Sequence, residues 1–182
     1  MDIKNDMEHL VKAEVRTRRD CSAKELACCW CCLCEADVLA LALNNLPPRY
    51  CHQRNFGYAA SQGLGNAVKS AVSRAIQKVS QRPKHRPGKP LSCSEDVRLD
   101  NFAQTIGAAL VGSVLTRESS ACDCEQCRAD ALAYALNRYP PKYGVSYGGH
   151  ASYQSNYEDF IRHEVGQELV QAMTVVQARP HH

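Results

Sequence analysis

The chain has 182 residues, of which 45% are hydrophobic and 23% charged, so a packed core is expected and wholesale disorder is excluded. Its formal net charge of +3 is too small to predict nucleic-acid binding by itself. No run of roughly 20 apolar residues and no apolar signal-peptide core are present, so we expect a cytoplasmic protein whose eleven cysteines are thiols, metal ligands or redox groups.

The first half of the chain predicts three amphipathic helices separated by a cysteine-rich segment and a turn. Apolar residues recur at helical spacing in each helix. The three stripes are Met7, Leu10, Val11 and Val15, then Leu39, Ala42, Leu43 and Leu46, then Val68, Val72 and Ile76. Pro47-Pro48 ends the second helix, because proline lacks a backbone N–H and restricts the residue before it.

A basic segment with three prolines, residues 81–97, follows the third helix and predicts a solvated linker. The alternative is a basic strap that contacts phosphates, as in segments that bind nucleic acid.

The second half of the chain repeats the first. Residues 29–50 align without gaps to residues 122–143, a shift of 122 − 29 = 93, and thirteen of the 22 positions are identical. The same shift aligns the third helical stripe with Ile161, Val165 and Leu169, so the repeated unit is a whole domain. We therefore predict an all-α fold of two similar small helical domains, residues 1–80 and 98–178, joined by the linker at 81–97.

Each repeat carries the spacing C-x-C-x-x-C, formed by Cys29, Cys31 and Cys34 and again by Cys122, Cys124 and Cys127. Thiolates at this spacing can bind one Zn²⁺, and structural zinc normally takes four ligands, so each repeat needs one more. The candidates are Cys93, Cys51, Cys28, Cys32 and Cys21 for the first repeat, and His150, His163, Cys93 or a group from the other repeat for the second. Buried free thiols, disulfides and redox thiols are the alternatives, with disulfides the least favoured in so crowded a run.

Polar residues that the repeats share are candidates for ligand binding. The pairs Arg49-Tyr50 and Lys142-Tyr143 follow the double prolines, and a cation beside a tyrosine could hold a phosphate and stack a base. An ordinary surface cation and a tyrosine that closes the core are the alternative. The remaining shared candidates lie on the helix away from the centre of its apolar stripe, and they are Asp37, Asn44, Asp130 and Asn137. The two aspartates could equally cap the helix or order the cysteine loop.

The pattern C-x-C-x-x-C-x-x-D-x-L-A-x-x-L-N-x-x-P-P-x-Y, present in both repeats, resembles the late competence development, ComFB-like, family. The resemblance implies small, all-helical, zinc-binding proteins that form dimers, with the six repeat cysteines as metal ligands and Cys93 as the fourth ligand of the first repeat. It also implies a regulatory protein that binds a cyclic dinucleotide, cyclic di-GMP or cyclic di-AMP, and acts through a protein partner.

A fused pair of such domains could form within one chain the dimer that single-domain relatives build from two. We therefore expect an intramolecular pseudo-dimer, with a cleft that presents the two cations and two tyrosines to a two-fold symmetric ligand. A DNA-binding accessory factor in DNA uptake and a pure protein-interaction module are the alternatives. We expect no enzyme, because the sequence shows no paired carboxylates near the motif, no phosphate-binding glycine loop and no nucleophile elbow.

Overall fold

The computed structural model describes residues 3–21, 28–52, 63–85, 89–90, 96–117, 122–147 and 155–178. The two halves have the same order of elements. The first contains β1 (Ile3–Asn5), α1 (Met7–Cys21), α2 (Cys32–Leu43), β2 (Tyr50–His52) and α3 (Gly65–Gln81). The second contains β3 (Val97–Asn101), α4 (Phe102–Arg117), α5 (Glu125–Arg138), β4 (Tyr143–Tyr147) and α6 (Ser155–Ala178). The predicted helices and their repetition are confirmed.

The all-helical prediction missed two small antiparallel sheets. Strand β1 pairs with β2, with Asn5 opposite Tyr50, and β3 pairs with β4, with Asn101 opposite Tyr143. Strands of three to five residues are too short to show a clear alternation of apolar and polar residues. The double proline before β2 and β4 indicates an end of helix, but it does not say that the next residues pair.

The apolar stripes of each half face a buried core. In the first half α2 packs against α1 and α3, and in the second α5 and α4 both pack against α6. Strand residues from one half also join the buried cluster of the other. Tyr143 and Val145 belong to the core of the first half, and Ile3 and Tyr50 belong to the core of the second. Each core is therefore completed by residues from the opposite half.

Helix α2 is buried on more than one face, which explains a wrong expectation about Asp37. From helical geometry this residue was expected away from the core, yet it is only 5% exposed. The reason is that β3 and β4 of the second half cover the face of α2 that α1 and α3 leave open. A helix covered on two sides buries residues outside its apolar stripe.

Part of the predicted linker packs against the first half. Residue 81 is the last of α3 and residue 97 the first of β3. Between them, the N–H of Arg82 still donates to the carbonyl oxygen of Lys78 at 3.1 Å, and Lys84 forms an ion pair with Asp37. Residues 82–85 are therefore not a free tether. The domain limits themselves stay a prediction, since residues 86–88 and 91–95 lie outside the described part of the chain.

None of the described helices is long and apolar enough to cross a membrane.

Close packing in the second half predicts opposite effects for two glycines of α4. A Cβ at Gly107 would lie 2.7 Å from Cδ1 of Leu132 and 3.3 Å from Cγ1 of Val165. We expect Gly107→Ala to lower the free energy of unfolding by about 1–3 kcal/mol, because the facing side chains must leave their preferred rotamers. Gly112 of the same helix has open space around it, so Gly112→Ala should raise that free energy by about 0.5–1 kcal/mol. Urea denaturation measures the free energy of unfolding of both variants. Equal effects of the two substitutions would contradict the close packing described around Gly107.

Candidate functional site

A four-residue cluster with the ligand set of a structural metal lies in the first half. The ligand atoms of Cys29, Cys31, Cys34 and His85 all lie within 4.8 Å of one another. Cys31 caps α2 in an extended conformation, so two cysteines precede the helix and Cys34 lies in its first turn. His85 lies in the segment that follows α3, and this segment brings it beside the start of α2. Three thiolates and one imidazole are a common donor set for tetrahedral zinc, so the residues present fit the metal.

The buried position of Cys34 also suits a metal ligand. Burial raises the pKa of the Cys34 thiol far above its usual value, and a hydrogen bond with Cys31 adds to this effect. A thiol in this environment does not ionise near neutral pH by itself. A bound cation would supply the charge that stabilises the thiolate, so metal binding would release the proton.

The second half brings together three ligands of the corresponding cluster among the described residues, namely Cys122, Cys124 and Cys127. Cys122 is exposed, while Cys127 is buried and burial raises its pKa to about 12. The N–H of Cys127 donates to the sulfur of Cys124 at 3.4 Å, and this bond lowers the pKa of Cys124. The second cluster is thus more open to solvent than the first.

His85, the fourth residue of the first cluster, was not among the candidates predicted from the sequence. Cys93 and His150 lie outside the described residues. Cys21, Cys28 and Cys51 are free thiols outside the cluster, and Cys32 is disulfide-bonded, which was not expected. In the second half His163 lies outside the cluster and is 3.0 Å from the side-chain nitrogen of Gln167. His85 was overlooked because it falls in the segment that was predicted to be a linker.

A prediction follows for His85. We expect His85→Ala to weaken zinc binding at the first cluster by roughly 100-fold, because loss of even a group that only orients a ligand costs about 10–100-fold. His9 is the matched control, since it lies on α1 and outside both clusters. Competition with a chromophoric chelator measures the affinity of each site. If the His85→Ala and His9→Ala variants bound zinc equally tightly at the first cluster, His85 would not be a ligand.

Asn44 and Asn137 connect the two halves by the same contact in both directions. The side-chain N–H of Asn44 donates to the carbonyl oxygen of Tyr143 at 2.9 Å, and the N–H of Tyr143 donates back to the Asn44 oxygen at 2.7 Å. Asn137 makes the equivalent pair with Tyr50, at 2.9 and 2.6 Å. Each side-chain amide therefore clamps the backbone of one strand residue from the opposite half. We call these two contacts the asparagine clamps.

Tyr50 and Tyr143 close the contact between the halves. They are 5% and 6% exposed. Asn101 donates to the hydroxyl of Tyr50 at 2.7 Å, and Asn5 donates to the hydroxyl of Tyr143 at 3.0 Å. Burial raises the pKa of Tyr50 to about 12, so the phenol stays protonated. In this arrangement the two rings are part of the core, and their predicted role in stacking a base stays a prediction.

The two shared cations have different surroundings. The ammonium of Lys142 lies 5.9 Å from the ring centroid of Tyr139 and 5.6 Å from that of Tyr157, which are cation–π distances. The guanidinium of Arg49 is half-buried and forms no ion pair or hydrogen bond with any described residue. Arg49 is therefore the more available of the two for an anionic ligand.

The two shared aspartates also differ. Asp37 accepts a hydrogen bond from the ammonium of Lys84 at 2.6 Å, and burial raises its pKa while Lys84 opposes the shift. Asp130 is half-buried and accepts from the side chain of Gln126, one turn earlier on α5, at 3.3 Å. Neither aspartate belongs to a cysteine cluster.

The comparisons with known proteins agree with the repeat and with the cysteine-bearing helix. The family described as late competence development protein ComFB matches the chain twice, over residues 4–83 and 101–180. The two halves are thus two copies of one helical domain, and the chain belongs to the ComFB family. No curated protein and no solved structure matches it.

Proposed function

We propose that the chain is a non-enzymatic regulatory protein, related to competence, that binds a cyclic dinucleotide and passes its occupancy to a protein partner. The observation that carries the proposal is that two copies of one family domain contact each other by equivalent asparagine clamps. Arg49 and Lys142 directly precede the two clamped tyrosines, so each half presents a cation at the same point of this contact.

The contacts between the halves support an intramolecular pseudo-dimer. The clamps repeat with the roles of the two halves exchanged, which is the relation that a two-fold axis produces. A cyclic dinucleotide has two phosphates and its own two-fold symmetry. A ligand of that shape could place one phosphate near each cation, and Arg49 has no competing partner among the described residues.

In this proposal the metal is zinc and its role is structural. Four ligands fill the coordination shell at the first cluster, which leaves no open position for catalysis.

Isothermal titration of the zinc-loaded chain with cyclic di-GMP and cyclic di-AMP tests the proposed function. We expect micromolar or tighter binding of one cyclic ligand per chain and none of the linear dinucleotides. Arg49→Gln should weaken binding about tenfold, the effect of losing one charge-assisted hydrogen bond. Arg16→Gln, on the exposed face of α1, is the control and should not change it. If folded, metal-loaded protein bound neither cyclic dinucleotide, the proposal of a receptor would be refuted. A protein-interaction module would then be the remaining interpretation.

A further inference from the structure

A small cavity lies between the two halves, apart from the cysteine clusters. Its volume is about 170 Å³, and it is bounded by α2, by the end of α3 with the segment after it, and by β4 of the second half. The polar side chains that line it are Asp37, Asn44, Lys78, Arg82 and Lys84.

The charges around this cavity do not cancel. Three cations and one carboxylate line it, so the balance is 3 − 1 = +2. Asp37 pairs with Lys84 at 2.6 Å. The side chains of Lys78 and Arg82 form no ion pair or hydrogen bond with any described residue. Two exposed cations at the end of α3 therefore line one concave surface and form no ion pair with a described residue, and such a surface attracts an anion.

We propose that this cavity binds the phosphoryl group of inorganic phosphate or of a small phosphate monoester. A phosphate near neutral pH carries about two negative charges, which matches the +2 balance of the lining. The guanidinium of Arg82 can donate two parallel hydrogen bonds to phosphate oxygens, and Lys78 adds a point charge.

The cations of this cavity, Lys78, Arg82 and Lys84, are not the cations of the proposed cyclic dinucleotide site, although both sites adjoin the clamp of Asn44 on Tyr143. Pockets that bury a whole drug-sized ligand measure roughly 300–1,000 Å³. A volume of about 170 Å³ falls below that range and suits a phosphoryl group whose remainder extends into solvent. The phosphate site therefore goes beyond the proposed function and does not depend on it.

The position of the cavity gives the phosphate a structural consequence. Tyr143 and Val145 of the second half line one wall, whereas the cations come from the first half. Asn44, which also lines the cavity, forms one of the asparagine clamps. A bound phosphate would thus stabilise the state in which the halves are packed together.

Isothermal titration of the full, zinc-loaded chain with inorganic phosphate and with ribose 5-phosphate tests the proposal. We expect one site per chain, weakened about tenfold by Arg82→Gln and by Lys78→Gln. Both side chains are exposed, so neither change should unfold the protein. Arg74→Gln is the matched control, because Arg74 is exposed on α3 one turn before Lys78 and does not line the cavity.

The relative affinities of the two probes identify the ligand. Equal binding of both probes identifies the phosphoryl group itself as the ligand, and tighter binding of the ester identifies a phosphate monoester. No binding of either probe at millimolar concentration, or equal weakening by Arg74→Gln, would overturn the site. Titration of Arg82→Gln with the cyclic dinucleotide separates the two proposals, because we expect that affinity to be unchanged.

Discussion

Replacing Asn44 by alanine is expected to lower the free energy of unfolding by about 2 kcal/mol, because two hydrogen bonds of about 1 kcal/mol each are lost. These bonds join its amide to both backbone groups of Tyr143 in the other half. Both bonds are half-buried, so the loss of each is expected to fall within the usual range for one hydrogen bond. Asn137→Ala should cost as much, and the double variant about 4 kcal/mol if the clamps act independently. Urea denaturation of the zinc-loaded chain measures these values.

The next residue along the chain supplies the control for the clamp. Asn45 is also an exposed asparagine, but its side chain donates at 2.7 Å to the carbonyl oxygen of Leu41 within its own half. We expect Asn45→Ala to cost about 0.5 kcal/mol, the value of one exposed local hydrogen bond. If Asn45→Ala lowered the free energy of unfolding as much as Asn44→Ala, the contact between the halves would add no more stability than a local hydrogen bond.

The largest effect is expected at the first cysteine cluster. If both clusters bind zinc as proposed, Cys34→Ser should remove one of two zinc ions per chain. It should also lower the free energy of unfolding by about 5 kcal/mol or more, since structural zinc contributes up to roughly 10–16 kcal/mol in small domains. The substitution removes a thiolate ligand and leaves a hydroxyl in a buried position. Elemental mass spectrometry after gel filtration gives the zinc content, and thermal unfolding gives the stability.

Cys21→Ser is the matched control for this loss. Cys21 is an exposed free thiol at the end of α1 and outside both clusters. The Cys21→Ser variant should keep the zinc content and the free energy of unfolding of the parent chain. If Cys34→Ser also kept two zinc ions per chain, the first cluster would not be a metal site.

The features that the sequence predicts correctly are local ones. The helices follow from apolar residues three and four apart, and the cysteine clusters follow from thiols two and three residues apart. The repeat shows in addition which positions both halves share. Asn44 and Tyr50 were singled out in this way, although the sequence does not say what they contact.

The features that were missed depend on contacts between distant parts of the chain. The partner of Asn44 is 99 residues away, and that of Asn137 is 87 residues away. A shared polar residue can serve a ligand or the other copy of the domain, and spacing alone does not distinguish the two. His85 was missed for a related reason, because only the packing of α3 on α2 brings it to the cysteines.

The measurement that tests the central claim most directly is equilibrium unfolding of the zinc-loaded chain in urea, followed by two probes. Trp30, the one tryptophan of the sequence, reports on the first half, while far-ultraviolet circular dichroism reports on both halves. If each half completes the core of the other, the two probes should show one coincident transition. Two transitions in circular dichroism, with Trp30 fluorescence following only one of them, would show that the halves are independent domains and would contradict the account.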